Sequence, residues 1–208
     1  MKPVERIHSG YVAGRRARVL TDRLARVIPR GASVLEIGAG DGMLLAELAR
    51  RRGDCSFSGV DVLVREITHA AIEGYDGRTL PRGDASVDVA LFVDVLHHTE
   101  DALDLLREAR RVARASIVIK DHTLDGFAAG PTLRFMDRVG NARHGVALPY
   151  NYWPKARWEV AFEKLELTVE SWESRLGLYP WPASLVFERS LHFLARLGLG
   201  RARARAGG

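Results

Sequence analysis

The run Val34-Leu35-Glu36-Ile37-Gly38-Ala39-Gly40-Asp41-Gly42 constrains this chain more than any other segment. Four residues suited to a buried strand pass into a loop with glycine at every second position, and Leu44, Leu45, Leu48 and Ala49 then recur at helical spacing. A strand, a glycine turn and a helix in immediate succession make a βα unit. Glycines let the backbone turn sharply and let a ligand approach without a Cβ in the way. The helix start adds free N–H groups and a positive dipole end, which suit an anionic group. The segment therefore predicts an α/β fold with a nucleotide-type cofactor at the strand end.

The rest of the chain extends that rhythm. Helical spacing over 10–28 places Leu20, Leu24, Val27 and Ile28 on one face, and Pro29-Arg30-Gly31 stops the helix. Strand-like runs at 33–37, 56–60, 78–80, 87–93 and 115–120 alternate with helical runs at 42–52, 64–73 and 101–113. Such alternation predicts a parallel, doubly wound sheet covered on both faces. After Lys120 the pattern breaks into a segment rich in glycine, proline and aromatics, which reads as a lid. A helix is expected to restart at Pro154 and run to about Leu165, with Trp158, Ala161 and Phe162 inward. Residues 166–173 read as a strand, and 190–197 fits strand or helix, with strand favoured.

The loop discriminates between cofactors. A dinucleotide fingerprint requires a third small residue where this chain has Met43. The spacing is instead E-x-G-x-G-x-G, with Glu36 inside the strand end. A carboxylate repels a diphosphate but attracts the sulfonium and amino group of S-adenosylmethionine. Asp61 ends the next strand-like run, about twenty residues on, where a ribose-binding carboxylate is expected.

With these residues in place, the stretch from Arg15 to Asp121 resembles the class I S-adenosylmethionine-dependent methyltransferases, small-molecule type, as in ubiquinone and menaquinone biosynthesis. The matching segments are VLEIGAGDG (34–42), FSGVDV (57–62), GDASVDVALFVDVLHHTED (83–101) and ASIVIKD (115–121). The resemblance implies a Rossmann-like, mostly parallel seven-stranded sheet closed by an antiparallel edge strand. It divides the chain into a cofactor-binding core at 10–121, a lid or substrate insertion at 122–163, C-terminal strands at 164–200 and a basic tail at 201–208. S-adenosylmethionine is the implied cofactor, bound by Glu36, Gly38, Ala39, Gly40, Gly42, Asp61, Val62, Asp84, Ala85 and Val93. Glu36 falls near the methionine part, Asp61 at the ribose hydroxyls and Asp84 at the adenine amino group.

Ligands in open α/β sheets bind outside the carboxyl ends of the strands. Three residues there could orient or deprotonate an acceptor: Asp94, His98 and His122. His97 is weaker, and one member of the His97-His98 pair is expected to be structural. His144 in the lid is weaker still. Tyr150, Tyr152 and Phe135 are candidate acceptor contacts, which suggests an apolar or aromatic acceptor with an oxygen, carbon or nitrogen nucleophile. No cluster shows metal-ligand spacing, so no metal is expected.

Composition excludes more than it assigns. The 208 residues suit one domain, and no apolar run reaches the length of a membrane span. The N-terminus has no signal-peptide core, and the single Cys55 fits a reducing cytoplasm. Of the 31 basic residues only four are Lys, and removing the three tail arginines at 201–205 lowers the net charge from +5 to +2. Nucleic acid is not an expected partner, because no basic patch with interleaved aromatics is evident. Leu185, Phe187, Leu191, Phe193, Leu194, Leu197 and Leu199 before the arginine tail give a further reading, weak peripheral membrane contact through Ser184–Arg205. A non-catalytic S-adenosylmethionine-binding partner protein is the rival reading. A nicotinamide-dependent reductase is disfavoured by Met43 and by the lack of a Tyr-x-x-x-Lys pair.

Overall fold

A computed structural model describes residues 3–141 and 149–200. Among them, seven strands form one sheet in the order β3-β2-β1-β4-β5-β7-β6. The chain enters through α1 (Pro3–Val27), then β1 (Ser33–Ile37), α2 (Met43–Arg51), β2 (Ser56–Asp61) and β3 (Ile72–Gly74). It continues through β4 (Val87–Val93), a single 3-10 turn at Leu96–His98, α3 (Ala102–Val112) and β5 (Ala113–His122). Helices α4 (Ala129–Asn141) and α5 (Lys155–Lys164), strand β6 (Leu167–Glu173), the one-turn α6 (Ser184–Phe187) and strand β7 (His192–Leu199) complete it.

β1 to β5 are parallel, whereas β7 pairs antiparallel with both β5 and β6. Because β1 lies between β2 and β4, the order reverses there and opens a crevice at the carboxyl ends of β1 and β4. The strands are apolar on both faces because both are covered. Leu35, Ile37, Ala90, Phe92, Ile117 and Ile119 pack with α3 and α5 through Leu105, Leu106, Trp158 and Phe162. Val34, Val89, Leu91 and Val118 pack on the other face with Leu24, Leu48, Leu176 and Leu178. The period of two within each strand separates these two cores.

Two expected elements are absent. Residues 64–73 form no helix, because Val62, Leu63, Val64 and Ile67 stay exposed and find no face to pack against. Residues 78–80 form no strand. The Asp76 carboxylate instead accepts the N–H groups of Arg78 and Thr79 at 2.8 and 2.7 Å, turning the chain. The third strand lies earlier, at Ile72–Gly74, where Gly59 makes room: a Cβ there would meet Ile72 Cδ1 at 2.7 Å. The lid region carries no strand among its described residues, but it does carry α4. Pro154 sits one position before α5 rather than inside its first turn. The ambiguous last element is a strand, since β5 and β6 hydrogen-bond it from both sides.

The arginines of α1 make specific contacts. Arg15 donates to the Gly177 carbonyl at 3.3 Å, Arg23 donates to Leu176 O at 2.6 Å and pairs with Glu173, and Arg16 lies over the Tyr179 ring. They fasten α1 to the 174–180 loop.

Candidate functional site

The loop after β1 is built as a cradle. Gly38 and Ala39 donate to Val60 O at 2.8 and 3.1 Å, and Gly40 N–H donates to Asp61 Oδ2 at 2.8 Å. Asp61 Oδ1 accepts Leu63 N–H at 2.8 Å, so this carboxylate ties the ends of β1 and β2 together. Gly38 and Gly40 both have positive φ, +76° and +59°. A Cβ on Gly38 would lie 2.5 Å from Val95 Cγ2, whereas one on Gly40 would meet nothing within 4 Å. Gly38 is thus required by packing, and Gly40 faces the open side of the crevice. Gly42, also left-handed, precedes the first turn of α2. Ala39 is buried beneath the loop, Val93 is half-buried at the end of β4, and Val62 is exposed.

Glu36 is buried under this cradle, and its Oε2 has no hydrogen-bond partner. Burial, with Asp41 and Asp61 nearby, pushes its carboxyl up to about 8. A buried carboxyl with an unmatched oxygen is costly unless a cationic group meets it.

The structure does not bring Asp84 and Ala85 to this crevice. Both precede Val87, at the amino end of β4, and seven strand residues separate them from Asp94. Asp84 is 81% exposed and paired with Arg111 at 2.8 Å, while Ala85 N–H donates to Arg111 O. Their expected adenine role is therefore withdrawn. Asp76, shortly after the carboxyl end of β3, is the acid the fold offers on that side of the cradle.

A buried polar cluster lies beyond the ends of β4 and β5. Asp94 has φ +55°, a strained conformation for a non-glycine residue, and its N–H donates to Lys120 O at 2.9 Å. Its carboxylate pairs with the fully buried Lys120 and lies 3.3 Å from His122 Nε2. Burial pushes Asp94 up, but the Lys120 ammonium, with His122 and Arg16 in support, outweighs it and holds the carboxyl well below its usual range. Burial and the Lys120 charge lower His122 and His192 far below the usual imidazole value, so both are neutral. His122 Nδ1 faces Leu191 O at 3.3 Å and is thus the protonated nitrogen, leaving a lone pair on Nε2. His192 donates from Nε2 to Phe187 O at 2.9 Å, and its Nδ1 faces Lys120 Nζ at 3.4 Å.

On the other side of His122, His97 Nδ1 meets Asp121 Oδ1 at 2.5 Å and His97 Nε2 lies 3.3 Å from Asp137 Oδ2 on α4. Burial lowers His97, but Asp121 and then Asp137 outweigh it and raise it to about 10. His98 is half-buried, and burial and His97 lower it. Tyr152 is buried and its hydroxyl donates to Asp137, so it belongs to this network rather than to an open acceptor surface. Tyr150 is half-buried with φ +55°, and Phe135 is exposed and stacked on Phe187. His144 lies outside the described residues.

Sequence reasoning ranked His97 below His98 and left out Lys120, Asp121, Asp137 and His192 as site residues. Lys120 and His122 share one strand face by alternation, and a lysine inside an apolar strand is itself a signal. Asp137 and His192 carry none, because only the packing of α4 and the register His122↔His192 bring them in.

A sequence profile described as "Methyltransferase domain" matches residues 11–172. The chain belongs to this family. S-adenosylmethionine is accordingly the cofactor expected of the methyltransferase, and its residues fit that group. The orphaned Glu36 oxygen suits a cationic ligand, and the open side of Gly40 admits one. A 27-O-demethylrifamycin SV methyltransferase of Amycolatopsis mediterranei is 30% identical over 131 residues, covering 53% of this chain and 48% of that one. The match thus spans about half the length of that relative. Among solved structures, a Haloferax volcanii protein in complex with the Trm112 methyltransferase activator superposes with TM-score 0.64 at 16% identity, covering 91% of this chain and 93% of that one. An S-adenosylmethionine-dependent methyltransferase from Aquifex aeolicus gives 0.59 at 15% identity over 86% and 89%. These two support the fold.

Of the C-terminal apolar residues, Leu191 is buried just before β7, Phe193, Leu194 and Leu197 are buried within it, Leu185 and Val186 are exposed, and the basic tail lies outside the described residues. No helix among the described residues is long and apolar enough to cross a membrane.

Proposed function

We propose that this methyltransferase moves the methyl group of S-adenosylmethionine onto a hydroxyl oxygen of an apolar or aromatic small molecule. The observation that carries the acceptor reading is a continuous aromatic path from the surface to the buried cluster. Phe135 stacks on Phe187 at 6.3 Å between ring centroids, Phe187 meets Tyr179 at 5.4 Å, and Tyr179 stacks on His192 at 5.9 Å, next to Lys120. Phe127 and Trp181, 88% and 79% exposed, add large apolar surface that a soluble acceptor could cover. The curated relative, named for an O-demethylated acceptor, supports oxygen as the nucleophile.

Asp94 is the group proposed to meet the acceptor hydroxyl. Its strained backbone lies at the end of β4, and it keeps partial exposure while Lys120 and His122 stand behind it. As the oxygen–carbon bond forms, the hydroxyl proton becomes strongly acidic. A carboxylate held at low pKa therefore suffices to take it, with His122 Nε2 next in line at 3.3 Å. Apart from this transfer, the reaction needs alignment and a dry pocket. A cytoplasmic location is part of the proposal and rests on the lone Cys55.

The test is calorimetric titration with S-adenosylmethionine, S-adenosylhomocysteine and NADH, followed by labelled-methyl transfer to paired apolar acceptors bearing either a hydroxyl or an amine. Binding of the first two and transfer to the hydroxyl series is the expected result. NADH binding without an adenosylmethionine signal overturns the cofactor assignment, and transfer to amines alone overturns the oxygen assignment. Asp94→Asn should lower kcat with little change in cofactor affinity.

A further inference from the structure

Two buried ring nitrogens beside the proposed reaction centre are candidate donors: His98 Nδ1 has no hydrogen-bond partner, and His97 Nε2 is met by the Asp137 carboxylate. They project from adjacent residues of the 3-10 turn after β4, with ring centroids 4.0 Å apart. Asp137, on α4, presents Oδ2 only 3.3 Å from His97 Nε2. One donor atom from each of the three residues falls within 4.8 Å of the others. Ligand atoms around one tetrahedral zinc ion stand about 3.4 Å apart, as metal–ligand bonds of about 2.1 Å require, so small side-chain rotations close the set. We propose that His97 Nε2, His98 Nδ1 and Asp137 Oδ2 bind a divalent transition-metal ion of the zinc class, leaving one coordination position open toward the acceptor.

The surroundings of the three donors argue for this assignment. Metal-bound histidines characteristically donate their second ring N–H to a carboxylate, which fixes the tautomer and strengthens the donor nitrogen. His97 Nδ1 does so to Asp121 at 2.5 Å, and Asp121 is fixed in turn by the N–H groups of Leu96 at 3.0 Å and His122 at 2.7 Å. The carboxylate ligand is oriented too, by the Tyr152 hydroxyl. Two imidazoles and one carboxylate with an open position form a donor set typical of catalytic zinc and related ions.

A neighbouring triple, His97, Asp121 and His122, also lies within range but is chemically spent. Asp121 already accepts three hydrogen bonds, His122 Nδ1 is engaged with Leu191 O, and its Nε2 faces Asp94 beside the Lys120 ammonium.

The inference rests on the proposed O-methylation for its purpose. An ion in this position would hold the acceptor oxygen and lower the pKa of its hydroxyl. The O–H proton then passes to Asp94 and the new O–C bond forms. The C–S bond breaks, with its electron pair leaving on S-adenosylhomocysteine.

Binding of the ion is tested without reference to turnover. Tag-free protein is analysed for metal content, stripped with chelator, and titrated with Zn2+ and with Co2+ while visible absorption is followed. One equivalent should bind at micromolar affinity or tighter, with Co2+ giving the d–d bands of a nitrogen- and oxygen-ligated four- or five-coordinate site. His98→Ala and Asp137→Asn should each weaken binding at least tenfold while S-adenosylmethionine affinity, measured in parallel, stays within about twofold. His122→Ala should keep the ion. Should a variant lose S-adenosylmethionine binding through misfolding, the wild-type cobalt spectrum and stoichiometry decide. No binding of either ion below millimolar concentration overturns the proposal. So does loss of the ion in His122→Ala with retention in the other two. Failure of S-adenosylmethionine to bind would instead count against the proposed function and leave the metal result standing.

Discussion

Glu36 joins burial, charge and ligand chemistry in one side chain. Its carboxyl, raised to about 8, is protonated at neutral pH in the free protein. A cationic ligand beside it favours the carboxylate. Binding of S-adenosylmethionine at pH 7 should therefore release close to one proton, with release falling away well above pH 8. Calorimetry in buffers of different ionisation enthalpy reads this directly, and Glu36→Gln should abolish the release. Gly38 and Gly40 should also behave differently. Gly40→Ala adds only the backbone cost of about 1–2 kcal/mol and should chiefly weaken cofactor binding. Gly38→Ala adds a collision with Val95 as well, about 1–3 kcal/mol more. Denaturant midpoints should rank Gly38→Ala clearly below Gly40→Ala. Both glycines were legible in the motif, but which one packing demands and which one faces the ligand was not, because that depends on the position of Val95.

Secondary structure was legible wherever a segment's periodicity agreed with its burial. β1, β4 and α3 lie where their apolar spacing places them, and the start of α3 is fixed locally: Asp101 accepts the N–H groups of Leu103 at 2.9 Å and Asp104 at 3.0 Å. Asp101→Ala should cost about 1 kcal/mol, as loss of an N-cap does, seen as a lower denaturant midpoint with an unchanged m-value. The 62–80 stretch misled for a physical reason. Val64 and Ile67 show helical spacing yet no element covers them, and Asp76 turns the chain where a strand was expected. The Gly83-Asp84-Ala85 match failed similarly, since a short motif says nothing about which end of a strand it occupies.

Across the molecule, the carboxyl end of the sheet concentrates buried ionisable groups, and this should appear in the pH dependence of folding. Glu36 has a folded pKa of about 8 against 4.5 for the ordinary group. The folded state therefore binds more protons than the unfolded state between those values. Its contribution to stability is fully present below about pH 4.5 and is lost as pH rises through about 8. Urea titrations from pH 5 to 8.5 should show wild-type stability falling more steeply with pH than that of Glu36→Gln. The difference between the two should shrink when S-adenosylmethionine is present, because the ligand holds the carboxylate ionised.

What the sequence determined by itself is local. The strand–glycine–helix unit, the alternation of strands and helices and the acid at the end of β2 are written in spacings of a few residues, and from them followed the doubly wound sheet and the methyl donor. The polar cluster is not local. Asp94, Lys120, Asp137 and His192 come from four separate segments, and no periodicity relates them. They meet because β7 inserts antiparallel beside β5, pairing His192 with His122, and because α4 folds back to set Asp137 against His97. Donor binding was therefore legible in the chain, whereas the chemistry offered to the acceptor depended on how the strands and α4 are assembled.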